Sequence, residues 1–292
     1  IGGITVPAYT TNTAEDHLYI LEHSEANIAI VSGDKLAPRL TDAMNKSATC
    51  KTIISIEDLS MQIEPRLKHL NWSNLVSPKD KLKINASKEA ANLKRDDVAC
   101  FIYTSGTGGN PKGVMLTHGS ILANCSSAYD LLTEFGLGDE IFLSLLPLSH
   151  SYEHTCGLYF PISIGAQIYY SEGPDKVAQN LQEARPTIMT AVPRLYEALH
   201  DRIQRGVHQS GGFKERLFNL TLELGRKEKV EKQSLNFSEK LQNKLVDFAV
   251  RTKVSQRFGG RLKAFVSGGA ALNPDIGNFF LSLGVNILQG YG

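Results

Sequence analysis

The 292-residue chain reads as an α/β protein built on largely parallel sheets. Short apolar runs alternate with helix-length segments, the pattern of strand–helix–strand units. A hydrophobic content of 42% supplies enough apolar side chains for a large core, in a chain long for one simple domain.

Taken in order, AEDHLYILEHSEA predicts a helix over 14–26 and NIAIVSG a buried strand over 27–33. VACFIYTSG (98–106) is a further strand that opens directly into a glycine-rich loop. Residues 114–116 are apolar again, and 118–136 follow as a helix. Its Ile121, Leu122, Cys125, Tyr129 and Leu132 fall on one face at helical spacing. EIFLSLLP is a strand ended by Pro147, and GAQIYYS is the next. GPDKVAQNLQEARP predicts a helix stopped by Pro186, before the strand TIMTA. VPRLYEALHDRIQRG restarts a helix with Pro193 in its first turn. Residues 213–257 read as helical and polar, and 261–292 close with strand, glycine turn, helix and strand.

Composition excludes several classes. A net charge of +1 gives no sign of a nucleic-acid binder. Cys50, Cys100, Cys125 and Cys156 are widely spaced with no C-x-x-C pair, which argues against a disulfide framework or a thiolate zinc site. That usage suits a reducing, cytoplasmic compartment. The longest apolar candidate for a membrane span, 156–170, is broken by Pro161 and Gly165. The start shows no signal peptide, and both ends read as cut from a longer protein. Between 214 and 263, 13 Lys and Arg stand against 6 Asp and Glu. This is either a solvated helical face or an attraction to anionic lipid or a phosphorylated ligand. Trp72, the lone tryptophan, reads as a packing residue.

Residues 103–118, YTSGTGGNPKGVMLTH, concentrate glycine, hydroxyl and lysine side chains between two apolar runs. Gly106, Gly108 and Gly109 permit positive φ and close approach of backbone N–H groups to an anion. Thr104, Ser105 and Thr107 add hydroxyl donors, and Lys112 adds a full charge fixed behind Pro111. The dipole of the following helix could contribute as well. Pro111 before the lysine excludes the Walker A loop, and the third glycine of a dinucleotide fingerprint is missing. A glycine-rich hairpin turn is the bland alternative. A second motif, HSYEH (150–154), fits H-x-x-E-H, in which His150 and His154 on one helix would share a zinc ion with Glu153 as base. Capping or pairing on the helix is the simpler role for Glu153 and His154.

YTSGTGGNPKGVMLTH resembles the phosphate-loop signature of the adenylate-forming (AMP-forming) superfamily, Y-T-S-G-T-T-G-x-P-K-G-V, departing from it only at Gly108, where the family has threonine. LPLSHSYEH, SGGAAL (267–272) and QGYG (289–292) resemble the family's next segments in the same order. PTIMTAVPRLYEALHDRI and GGFKERLFNLTLELGRK look most like the long-chain fatty acyl-CoA synthetases.

The resemblance implies that 1–292 is part of the large N-terminal adenylation domain, with helix-flanked sheets in two subdomains and the C-terminal domain absent. It implies activation of a fatty acid by ATP, with Mg²⁺, to acyl-AMP and then acyl-CoA, with AMP and pyrophosphate released. Lys112 and the hydroxyls of Thr104, Ser105 and Thr107, with Gly106, Gly108 and Gly109, would hold the β- and γ-phosphates. His150 would orient the carboxylate or donate to the reacting phosphate. Gly268, Gly269 and Ala270, with Gln289, Gly290, Tyr291 and Gly292, would enclose the adenosine, with Tyr291 stacked on adenine. Val192, Pro193 and Arg194 would border the acyl tunnel. The family's Mg²⁺-binding glutamate would fall after residue 292, so no metal ligand is assigned and this segment alone is expected to be inactive or nearly so. Coenzyme A is the co-substrate, and peripheral contact with the inner face of a membrane is compatible with this reading. The alternatives are a non-catalytic binding module on the same fold and the H-x-x-E-H zinc hydrolase.

Overall fold

A computed structural model describes residues 2–76, 85–105 and 109–290. The chain divides into two compact units, Ile1–Leu122 and Ala123–Gly292, each with its own sheets.

In the first unit β1 (Ile28–Val31), β2 (Thr52–Ser55) and β3 (Lys68–Asn71) form a parallel sheet in that order. Alternation along β1 buries Ala29 and Val31 and leaves Ile28 and Ile30 exposed. The buried pair joins Leu21, Met44 and Ile53 in a core that also takes in helices Ala14–His23 and Ala37–Lys46. Thr13 starts the first of these through a capping box with Asp16. Trp72 opens a one-turn helix, Trp72–Leu75, and is 41% exposed, so it is not the packing residue expected.

The second sheet of this unit is a hairpin. β4 (Val98–Thr104) pairs antiparallel with β5 (Lys112–Thr117), setting Thr104 opposite Lys112. The parallel expectation therefore fails at this pair, because a connection this short can only reverse the chain.

In the second unit β6 (Ile141–Ser144), β7 (Gln167–Tyr170), β8 (Ile188–Ala191), β9 (Ala264–Ser267) and β10 (Asn286–Gln289) form a wholly parallel sheet, ordered β10-β9-β8-β6-β7. Central strand β8 is buried at all four positions, as a strand covered on both faces must be. The chain steps outward from β6 to β7, then returns past β6 to β8. Strand order thus reverses between β6 and β8, the place where open parallel sheets form a crevice at their carboxyl ends.

Phe265, Phe280 and Tyr196 centre the core of this unit, with Phe265 at 5.1 Å from Tyr196 and 5.6 Å from Phe280. Helix His118–Thr133 buries Ile121, Cys125 and Leu132 but leaves Leu122 and Tyr129 half exposed, a narrower face than its spacing suggested. The four cysteines are free thiols, and burial pushes Cys50, Cys100 and Cys125 up, and Cys156 to about 12.

The 213–257 region is helical as expected, but it is organised around a buried cation. Arg251, 7% exposed, donates from Nε to the Ser282 carbonyl (3.0 Å), from Nη1 to Asn243 Oδ1 (2.7 Å) and from Nη2 to the Thr221 carbonyl (3.2 Å). It also pairs with Asp247 one turn earlier. One guanidinium thus ties together polar groups of three segments. Arg251→Ala is expected to destabilise this unit by about 3 kcal/mol, read as a lower urea midpoint.

Candidate functional site

In the first unit the hairpin carries the residues that the sequence assigns to a phosphate loop. Thr104 ends β4, Ser105 follows it, and Lys112 begins β5, all three exposed at the mouth of the turn. Gly109 takes φ 128°, a conformation open to glycine. Gly106, Thr107 and Gly108 lie outside the described residues.

An aromatic group buttresses the base of the turn. The Tyr19 hydroxyl donates to the Pro111 carbonyl (2.9 Å), and Tyr103 and His23 share a 2.8 Å hydrogen bond. Tyr19 stacks on His23 at 5.2 Å. The residue before Lys112 is therefore held by its ring and by its carbonyl. The helix dipole expected to assist does not reach this end: β5 intervenes, and its six residues place the start of helix His118–Thr133 roughly 20 Å from Lys112. The glycine-rich segment therefore connects the two strands of a β-hairpin, as the bland alternative had it.

In the second unit the remaining motifs meet at the carboxyl ends of the parallel strands. Tyr152, from HSYEH, links three of them. Its hydroxyl donates to the Val266 carbonyl (2.9 Å), and a Cβ on Gly268 would stand 2.2 Å from its Cε2. A Cβ on Gly290 would reach the same ring carbon at 4.0 Å. The Gly290 N–H donates to the Ser267 carbonyl (2.8 Å), and Gln289 Oε1 accepts from the Leu272 N–H (3.2 Å). Gly269, Ala270, Gln289 and Gly290 remain exposed around this contact. Tyr291 and Gly292 lie outside the described residues. Nothing in the sequence pattern singled out Tyr152, although an aromatic residue and two glycine motifs in the same family segments were a usable signal.

His150 caps the short helix Ser151–Glu153 from outside it, in extended conformation. Its Nδ1 accepts from the Tyr152 N–H (3.3 Å), which leaves the ring hydrogen on Nε2. Burial lowers the proton affinity of the ring, so at neutral pH it is an uncharged donor. A Cβ on Gly269 would lie 3.6 Å from both His150 Cε1 and Val192 Cγ1, so imidazole, glycine turn and the end of β8 are neighbours. Pro193 is buried in its helix and Arg194 is exposed.

The zinc arrangement is not formed. His150 stands outside the helix, His154 Nδ1 bonds the Leu148 carbonyl (2.8 Å), and Glu153 points elsewhere. No group of three His, Cys, Asp or Glu suited to a metal ion occurs among the described residues.

Glu153 has a different role from either one expected. Fully buried, its Oε1 accepts from Ser144 Oγ at 2.6 Å, and both carboxyl oxygens lie 3.2 Å from Thr190 Oγ1. Ser144 ends β6 and Thr190 lies near the end of β8, so the carboxyl bridges the two strands between which the order reverses. The chain makes room for it in a π-helical turn, His154–Tyr159: a Cβ on Gly157 would fall 2.1 Å from Oε1. Burial without a cation pushes Glu153 up to about 7.

Comparison with known proteins places this geometry. The family model for AMP-binding enzymes matches residues 1–292. The long-chain-fatty-acid–CoA ligase ACSBG2 of Homo sapiens is 30% identical over 100% of this chain and 44% of its own length. The peroxisomal long chain acyl-CoA synthetase 6 of Arabidopsis thaliana is 30% identical over 99% and 40%. The chain therefore spans less than half the length of these relatives. Among solved structures, an anthranilate CoA ligase in complex with anthranoyl-AMP superposes with TM-score 0.67 at 20% identity, over 100% of this chain and 45% of that one. The adenylation domain of a Mycobacterium chelonae carboxylate reductase gives 0.64 at 20% identity, over 100% and 43%. These two show the shared α/β fold.

Two outcomes follow for the second unit. Between pH 4.5 and about 7 folded Glu153 keeps a proton that the unfolded chain releases. Its contribution to stability is therefore complete below pH 4.5 and falls by about 3 kcal/mol as pH rises through 7. The difference in unfolding free energy between the natural chain and Glu153→Gln, measured across that window, should carry this slope. Gly268→Ala should cost about 2 kcal/mol in the same measurement, because the methyl cannot share space with the Tyr152 ring.

Proposed function

Because the chain belongs to the AMP-binding enzyme family, we propose that the full-length protein activates a long-chain fatty acid with ATP and transfers the acyl group to coenzyme A. Residues 1–292 are then part of its N-terminal adenylation domain. The observation that carries this reading is the meeting of His150, Gly268–Gly269 and Gln289–Gly290 around Tyr152, at the carboxyl ends of a parallel sheet. The names of the similar ligases and synthetases support the substrate class.

Joining a carboxylate to ATP sets one anion against another, so the site must hold both and offset the charge. At the hairpin, Lys112 supplies a full positive charge and Thr104 and Ser105 supply donors for the β- and γ-phosphates. Gly106, Thr107, Gly108 and Gly109 continue the same loop. His150 Nε2–H donates to an oxygen of the carboxylate or the α-phosphate, and because the ring is neutral it orients that group without forming a fixed ion pair. Gly268, Gly269 and Ala270 form one side of the adenosine site, and Gln289, Gly290, Tyr291 and Gly292 the other. Val192, Pro193 and Arg194 border the acyl chain.

Mg²⁺ would share the phosphate charge during this step. The described residues contain no cluster of His, Cys, Asp or Glu suited to hold it. Fatty acid, ATP and coenzyme A are the partners in this reading, with the cytoplasm as compartment and peripheral contact with the inner face of a membrane.

The test is pyrophosphate release by the full-length protein across carboxylates of increasing chain length. Release should favour long chains, and no release with any acid would overturn the reading. Lys112→Ala should slow acyl-AMP formation by roughly 100–1,000-fold, the usual effect of removing one preorganised donor. An undiminished rate would remove Lys112 from the site.

A further inference from the structure

The helices that follow β8 leave one apolar face uncovered. Phe237, Leu241, Leu245 and Phe248 succeed one another at intervals of four, four and three residues, along helix Phe237–Val246 and into the turn Asp247–Arg251. They are 87%, 66%, 58% and 80% exposed. Single exposed hydrophobes are ordinary, but four in a row on one helical face are not. The opposite face carries the packing: Val246 is buried with Leu224 and Leu235, and Leu217 and Leu220 pack against them. Phe213, 77% exposed, lies one turn before Leu217 on the helix Gly212–Gly225.

The charges beside this stripe have one sign available. Lys240 and Lys244 are exposed on the same helix, and neither forms an ion pair among the described residues. The acids of the helix are engaged already, Glu239 by Lys227 at 2.6 Å and Asp247 by Arg251. The free charge next to the apolar face is therefore positive, within a region holding 13 Lys and Arg against 6 Asp and Glu.

We propose that this face is a docking surface for an anionic lipid bilayer. Phe237, Leu241, Leu245 and Phe248 enter the headgroup–acyl boundary while Lys240 and Lys244 stay at the level of the phosphates. An amphipathic helix of this kind lies in the interface plane. At about 17 Å, twelve residues of helix cannot cross a bilayer, and no helix among the described residues is long and apolar enough to do so. A second copy of the chain is the poorer occupant, because self-pairing about a two-fold axis would set lysines against lysines. The proposal extends the membrane contact named under the proposed function, but it rests on this surface and is tested without catalysis.

Full-length protein is sedimented with vesicles of equal parts phosphatidylcholine and phosphatidylserine, and with vesicles of phosphatidylcholine alone. Binding is expected to the mixed vesicles, weaker to the neutral ones, and reduced by added salt. The pairs Leu241→Glu with Phe248→Glu, and Lys240→Glu with Lys244→Glu, should each weaken binding to the mixed vesicles by roughly tenfold or more. Circular dichroism confirms that each pair is folded, and the lysine pair decides alone if the apolar pair is not. Three results would overturn the proposal: no sedimentation with either vesicle, binding unchanged in a folded variant, or a soluble dimer that Leu241→Glu with Phe248→Glu splits into monomers. Pyrophosphate release is scored separately, so loss of vesicle binding and loss of the proposed activity remain distinct.

Discussion

The carboxyl edge of the five-stranded sheet depends on one steric fit, a tyrosine ring lying where Gly268 has no side chain. Tyr152 occupies space that any side chain at Gly268 would fill, and its hydroxyl is tied to the backbone of β9. That fit brings the segment after β6 against the turns after β9 and β10. His150 is placed by the same helix start, since it accepts from the Tyr152 N–H. A neutral imidazole and two glycine turns thus share a location through packing, with hydrogen bonds fixing their orientation. Close packing is what makes such placement accurate, because a displaced ring has no alternative cavity to enter.

Behind this edge lies a carboxyl group whose burial favours the uncharged form. Ser144 and Thr190 supply hydroxyl donors to Glu153, and Gly157 yields the volume it needs. The π-helical turn beside it is the backbone's accommodation of an extra residue. Both features sit at the point of strand-order reversal, where a crevice is expected on topological grounds. Strand pairing and site geometry therefore have a common support there.

Much of the fold was legible in the chain. β8 is a short apolar run between Pro186 and Pro193, and its neighbouring helix starts where Pro193 permits. β3, Lys-His-Leu-Asn, carries no apolar pattern, because its side chains are only partly covered and its pairing to β2 holds it. The hairpin at 98–117 was legible as one of two readings of its glycine-rich turn, while the general parallel expectation missed its antiparallel pairing. Motif order located His150, Gly268, Gly269 and Gln289, but not the ring that joins them, since contact across 116 residues leaves no periodic trace. Ser144 and Thr190 were readable as polar interruptions in buried strands, a signal that points to a buried polar partner such as Glu153.

The cysteines give the architecture an experimental handle. Each unit holds two, and burial keeps all four thiols largely protonated. Because the thiolate is the reactive form, alkylating reagents should meet them chiefly when the surrounding structure opens. Labelling kinetics at Cys50 and Cys100, set against those at Cys125 and Cys156, would separate the opening of one unit from that of the other without any introduced probe.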